Sequence, residues 1–340
     1  MPEPEATLYT DAFYRDHLEV SRRSARAIVP LIVRLVQPRS VVDVGCGLGT
    51  WLAVFQEQGV TDVSGIDGEW VDQSRLIIPE DRFLAVDVRR PIQLGRRFDL
   101  AVSMEVAEHL PGECAPVFVR SLTRLAPVVL FSAAIPFQGG VGHINEQWPE
   151  YWAEHFARNG YAVIDCIRKV IWQDPDVEWY YAQNTLVFAE RDLVERLPAL
   201  RRELERTVTT QLSLVHPRKY LKAVGETRSL LLTAQDIAAV IPPGERFILV
   251  DDDAVRGELA AGGRAIPFLE REGQYWGPPA DDMTAILEVE RLRGAGAGFI
   301  VFARPALWWL DYYSGFHEHL RSRFPCLSST ERVVAFDLRG

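Results

Sequence analysis

Apolar positions along the chain fall into two alternating patterns. Residues 11–36 place Ala12, Leu18, Ala25, Ile28, Ile32, Leu35 and Val36 on roughly one helical face, and Pro38 stops the run. Short apolar runs then alternate with helical stretches. Strands are predicted over 40–45, 63–67, 83–88, 98–104 and 128–134, and helices over 50–58, 113–125 and 148–158. Asn159-Gly160 is a C-terminal stop for the last of these helices, and strands over 161–167 and 184–190 follow. Uninterrupted apolar strands between helices predict a parallel-rich sheet covered on both faces.

The pattern changes after residue 190. Residues 191–229 carry no strand signal and are locally basic, with Arg201, Arg202, Arg206, Arg218, Lys219 and Lys222. They read as helix broken at Pro217, with the cations on a solvated face. A second alternation follows, with strands over 247–250, 264–269, 299–303 and 332–338 and helices over 281–293 and 310–323. The predicted organisation is therefore a large α/β domain over 1–190, a helical bridge over 191–235 and a smaller α/β domain over 236–340.

Composition agrees with two folded domains. The chain has 340 residues, 48% hydrophobic and 25% charged, and a formal net charge of −10. That charge disfavours phosphate backbones and anionic lipid as partners. No apolar run is long enough to span a bilayer. Residues 1–20 carry five acids and no apolar core, which is unlike a secretory leader. Cys46, Cys114, Cys166 and Cys326 show no paired spacing, so a reduced, cytoplasmic protein is expected.

The richest stretch is Asp43-Val-Gly45-Cys-Gly47-Leu-Gly49-Thr50, where a buried strand enters a glycine turn that opens a helix. Glycines let a ligand approach the backbone, and the helix start offers unpaired N–H groups. Thr50 departs from the dinucleotide fingerprint. Asp43 would repel a pyrophosphate but suits a cationic ligand. The motif resembles D-x-G-x-G-x-G of class I S-adenosylmethionine (SAM)-dependent methyltransferases at every position, over about residues 11–190. The resemblance implies a Rossmann-like sheet that binds SAM. Gly45, Gly47 and Gly49 would cradle the cofactor and Asp43 would face its amino-acid end. Asp67, ending the second strand, would accept from the ribose hydroxyls. Asp87 and Val88, ending the third, would lie beside the adenine, and Glu105, after the fourth, would line the cofactor.

The acceptor side centres on two segments. Glu105, Glu108 and His109 are spaced i, i+3, i+4 and would share one face if helical. Residues 139–148 (Gly-Gly-Val-Gly-His-Ile-Asn-Glu-Gln-Trp) form a glycine-rich polar loop after the fifth strand, where open α/β sheets bind ligands. Hydroxyl methylation needs a base or a metal. His143 is the better base, with His109 and Glu108 beside it. Together the four groups resemble the E-x-x-E-H plus histidine set with which small-RNA 2′-O-methyltransferases hold Mg²⁺, which implies Glu105, Glu108, His109 and His143 as ligands. Two imidazoles would also accept Mn²⁺ or Zn²⁺. Trp148 and Trp152, spaced i, i+4, read as helix core. Trp179-Tyr180-Tyr181 would form a stacking wall for a ring, with Asn145, Glu146 and Gln183 as polar partners.

In the second domain, Tyr275-Trp276-Gly-Pro-Pro279 and Trp308-Trp309-Leu-Asp311-Tyr312-Tyr313 resemble an α/β domain appended to bacterial glycosyltransferases and sugar-modifying enzymes. This implies an accessory role in substrate recognition or homo-oligomer formation. Asp251–Asp253 reads as a strand-end turn. The sequence as a whole reads as a methyltransferase for a hydroxyl of a sugar or other small molecule. Amine N-methylation, a non-catalytic SAM-binding subunit and RNA 2′-O-methylation are the alternatives.

Overall fold

A computed structural model describes residues 11–259 and 264–339 of the chain. Residues 1–10 of the acidic opening stretch read as unlike a leader lie outside those residues. The chain divides into two compact units, residues 1–220 and 221–340.

The first unit is built on seven strands: β1 (Ser40–Val44), β2 (Asp62–Asp67), β3 (Phe83–Ala85), β4 (Leu100–Met104), β5 (Val128–Ser132), β6 (Tyr161–Ile164) and β7 (Leu186–Glu190). Their order across the sheet is β3-β2-β1-β4-β5-β7-β6. All neighbours are parallel except β7, which runs antiparallel to β5 and β6. Side chains alternate between two cores. Val41, Val128 and Leu130 join Ala25, Ile28 and Ile32 of helix α1 (Asp11–Val36) and Leu52 and Phe55 of α2 (Thr50–Glu57). Val42, Val129 and Phe131 join Phe118 and Leu122 of α3 (Ala115–Leu125) and Phe156 of α4 (Pro149–Arg158). That two-sided burial is what continuous apolar strands require. Phe156 stacks on Phe188 at 3.8 Å, and each such buried ring contributes about 1.5–3 kcal/mol.

Four short helices complete the first unit's chain, α5 (Arg168–Ile171), α6 (Trp179–Asn184), α7 (Arg191–Arg196) and α8 (Pro198–Glu205), and a long helix, α9 (Pro217–Val240), has most of its length in the second unit's residues. Pro217 opens α9 rather than breaking a helix, because a first-turn proline gives up no hydrogen bond. Three of the basic residues of this region pair locally, Arg201 with Glu205, Arg206 with Glu203 and Lys222 with Glu226.

The second unit has a five-stranded sheet. Strands β8 (Phe247–Val250), β9 (Ala265–Pro267) and β12 (Phe299–Ala303) are parallel, and β14 (Val333–Asp337) and β13 (Cys326–Ser329) add antiparallel, giving the order β13-β14-β12-β8-β9. A hairpin of β10 (Glu270–Arg271) and β11 (Gln274–Tyr275) turns through Glu272-Gly273, both at positive φ, as two-residue hairpin turns need. Helices α10 (Asp282–Gly294), α11 (Trp309–Tyr312) and α12 (Ser314–Arg323) pack on Ile248, Val250 and Phe302. Ala234, Ile237 and Ile241 at the end of α9 pack on Leu249 and Val301. The single helix expected over 310–323 is broken at Tyr313 (ψ 67°), and β10, β11 and β13 were not expected. Among the described residues no helix is long and apolar enough to cross a membrane.

Candidate active site

The glycine turn lies where β1 ends. Gly45 and Gly49 have φ of 83° and 89°. A Cβ at Gly45 would meet Val106 at 2.3 Å, and one at Gly49 would meet Ile78 at 2.9 Å. Gly47, at φ 53°, has nothing within 4 Å of its would-be Cβ, so its bareness keeps open space beside the backbone. Below the turn lie two buried acids. Asp67 accepts the N–H groups of Gly47 and Gly68, both at 2.7 Å. Asp43 is 1% exposed, and among the described residues no group hydrogen-bonds its Oδ2. Burial, then repulsion from Asp67, holds the Asp43 carboxyl well above the usual range, and burial raises Asp67.

The turn forms one wall of a cavity of about 480 Å³. Gly45, Gly47, Glu105, His109 and His143 line it, as do Trp51, Tyr180 and Tyr181. Asp43, Gly49, Asp67, Asp87, Val88 and Glu108 do not. The expected strand over 83–88 stops at Ala85, and Asp87 instead turns the chain. It accepts the Arg89 N–H and holds that guanidinium through both oxygens, which lowers its pKa. Val88 is buried in the core.

Glu105 is not on a helix with Glu108 and His109. It leaves β4 at φ 55°, and only Ala107–His109 forms a helical turn. Its carboxylate accepts from Gln138 Nε2 at 2.9 Å and Asn184 Nδ2 at 3.0 Å. Burial raises both Glu105 and Glu108, and Glu105 adds repulsion at Glu108. Glu108 is fully buried beside Glu105. Its backbone carbonyl accepts the N–H groups of Ile144 and Asn145, which pins the glycine loop against it. This brings the His109 and His143 rings to 4.9 Å, edge to face. One ligand atom each from Glu108, His109 and His143 lie within 4.8 Å of one another, whereas Glu105 is not part of that group. His109 is pushed down by partial burial and by His143. His143 Nδ1 bonds Glu146 Oε1 at 2.9 Å, and the same oxygen accepts the Gly139 N–H at 2.7 Å. The ring then covers Gly140, where a Cβ would stand 2.2 Å from Nε2.

Of the expected wall, Tyr180 and Tyr181 line the cavity and Trp179 does not. Burial pushes both phenols up, so neither is a base near neutrality. Trp152 is buried, but Trp148, as the extended residue ahead of α4, is 41% exposed. Asn145 and Gln183 are buried and spent on structure. Gln138 and Asn184, which anchor Glu105, were missed; Gln138 carries only the weak signal of preceding the glycines.

Residues 14–165 match the family model described as a methyltransferase domain. That match lies within the first unit and spans under half of the chain. The unit's mixed, parallel-rich sheet is Rossmann-like. Solved structures similar to part of this chain include DesVI of Streptomyces venezuelae (17% identity, TM-score 0.44, covering 56% of this chain and 100% of that one). The sugar N-methyltransferase KedS8 from Streptoalloteichus sp. is similar at 16% identity and TM-score 0.43, over 56% of this chain and 99% of that one. The methyltransferase domain of bacterial CtHen1-CN is similar at 20% identity and TM-score 0.38, over 49% and 98%. No curated protein matches the sequence.

Proposed function

We propose that the first unit transfers a methyl group from SAM to a hydroxyl of a sugar or other small molecule, with His143 as the general base. The observation that carries this reading is His143 on the wall of the cavity that the glycine turn also lines, with Glu146 bonded to its Nδ1. SAM, when bound, supplies a methyl group activated by a sulfonium. Gly45 and Gly47 would border it, with the unsatisfied Asp43 carboxyl beneath them drawing positive charge. Glu146 fixes the His143 ring through Nδ1 and leaves Nε2 to take the hydroxyl proton. Tyr180, Tyr181 and Trp51 exclude water from the donor end. The cavity is low in the roughly 300–1,000 Å³ range of small-ligand sites, so a donor and a small acceptor group would fill it.

A second reading rests on Glu108, His109 and His143. A fully buried carboxyl group beside two imidazoles fits a divalent cation, and this donor set suits Mn²⁺ or Zn²⁺ better than Mg²⁺. The ion would supply Lewis acidity to the acceptor hydroxyl, and His143 would be a ligand rather than a base.

The test is transfer of labelled methyl from SAM by the full chain into a panel of sugars, amino sugars, phenols and RNA. The reading expects label in a hydroxyl acceptor, loss of at least about 100-fold in His143→Ala, and no effect of EDTA. Loss with EDTA and recovery with Mn²⁺ or Zn²⁺ selects the metal. Label on an amine selects N-methylation, and label in RNA the nucleic-acid alternative. No transfer to any acceptor leaves a SAM-binding subunit and refutes the proposal.

A further inference from the structure

In the second unit the chain leaves β8 toward β9 on one side and returns through α10 to β12 on the other. The carboxyl ends of β8 and β12 therefore flank a topological switch point, where open α/β sheets bind ligands. The loops that follow these two strands meet there. Asp251, buried after β8, accepts the N–H groups of Asp253, Val255 and Arg256 and so sets the loop. That loop presents Asp252, at φ 50°. Trp308 Nε1 donates to Asp252 at 3.0 Å and Trp309 Nε1 at 3.2 Å, both from the segment after β12. The Tyr275 hydroxyl donates at 3.0 Å from the hairpin after β9. Loops from all three parallel strands thus converge on one carboxylate.

Burying aromatics around an acid would be ordinary core architecture, and Trp309 is fully buried. Its neighbours are not. Trp308 is 44% exposed and Tyr312 71%, while Trp276, beside Tyr275, carries the Arg271 guanidinium over its ring at 4.8 Å. Trp308 and Tyr312 stand edge to face at 5.7 Å. Open flat rings beside a hydrogen-bonding carboxylate select the ligand by chemistry. A phosphate or sulfate would meet the Asp252 charge. A purely apolar partner would bury that charge without return. A carboxylate has about four acceptor positions, and three are taken, which leaves one for a hydroxyl. A pyranose ring offers both requirements, an apolar C–H face for the rings and hydroxyls for Asp252 and Tyr275. We propose that the second unit holds a binding site for a neutral or amino sugar at this switch point, with Trp308 and Tyr312 as the stacking platform. It is separate from the acceptor cavity of the first unit and does not depend on the methyl-transfer reading.

The test is saturation-transfer NMR of the full chain with galactose, mannose, glucosamine, N-acetylglucosamine and cellotriose, with glucose 6-phosphate and a heparin disaccharide as anionic controls. Binding of at least one neutral or amino sugar is expected. It should weaken about tenfold or more in Tyr312→Ala and in Trp308→Ala. Near-UV circular dichroism checks the fold, and the Tyr312 variant removes only a surface ring should Trp308→Ala misfold. No sugar bound, anionic controls bound preferentially, or sugar binding unchanged in folded Tyr312→Ala, which would place it elsewhere in the chain, each overturns the site.

Discussion

The buried Asp43 predicts that the protein without cofactor grows less stable as pH rises through the mildly acidic range, and that Asp43→Asn removes part of the loss. The sign follows from the direction of the shift. Asp43 is raised above its ordinary value of 3.8 by burial and by Asp67. Above about pH 4 the unfolded chain has released this proton while the folded chain keeps it. The unfolded state therefore binds fewer protons, and stability falls by about 1.4 kcal/mol per pH unit until the folded group ionises. From pH 5 to 7 the upper bound for one group is about 2.7 kcal/mol, or about 5–10 °C in Tm for a unit of this size. His109, lowered by burial, works in the opposite direction below pH 6.5. It is present in both proteins, so it cancels in the difference.

Asparagine has the same shape and no titration, so the Tm of Asp43→Asn should fall less between pH 5 and 7 than that of wild type. The same change should cost the cofactor its counter-charge. At about 100 times Kd, SAM adds about 2.7 kcal/mol to wild type, and the variant should gain little of it. The assay is differential scanning calorimetry at pH 5, 6 and 7, with and without SAM. Parallel Tm–pH lines for the two proteins would refute the linkage argument. Full SAM affinity in Asp43→Asn would refute the placement of the cofactor over this acid.

Three further outcomes are expected. Gly49→Ala should cost about 2 kcal/mol or more by urea unfolding, because φ is 89° and the new methyl meets Ile78 at 2.9 Å; Gly47→Ala, with open space, should cost only about 1 kcal/mol yet abolish SAM binding in calorimetric titration. Arg168 is 1% exposed, holds Asp165 through two bonds and donates to the Gln183 and Leu212 carbonyls. Arg168→Ala should therefore cost about 3–5 kcal/mol in urea unfolding, with Arg168→Lys in between for want of the planar fork. Glu146→Gln keeps an acceptor for Gly139 and for the ring N–H but loses the charge, so kcat should fall about 10–100-fold with KM nearly unchanged; a KM rise alone would make Glu146 a binding group.

What could be read from the sequence was local. The residue 40–67 segment needed only apolar runs and glycines within one strand–helix–strand unit, and the structure forms that unit as read, with Asp43 and Asp67 behind the glycine turn rather than on the cavity wall. At Asp87 an equally local contact intervenes, since Arg89, two residues on, holds its carboxylate through both oxygens. Trp148 and Trp152 share a helical spacing that says nothing about where the helix starts; Trp148 stands one residue outside it. Glu105 was misplaced because spacing assumes one helix, whereas its positive φ and its bonds to Gln138 and Asn184, 33 and 79 residues away, are set by packing.

The same distinction separates the two candidate sites. In the first unit the chemistry is concentrated where β1, β4 and β5 end, and each loop carries its own sequence signal. In the second unit Asp252, Tyr275 and Trp308 lie in three loops, each unremarkable alone: an acidic turn, a hairpin end and an aromatic run. Only the strand order places them together, because β8 lies between β9 and β12 and puts its own end at the centre. A carboxylate that draws two indoles and a phenol from separate loops spends three long-range hydrogen bonds on one surface position. A surface turn needs none of them. With Trp308 and Tyr312 left open beside it, that expenditure is better explained by a ligand than by the fold.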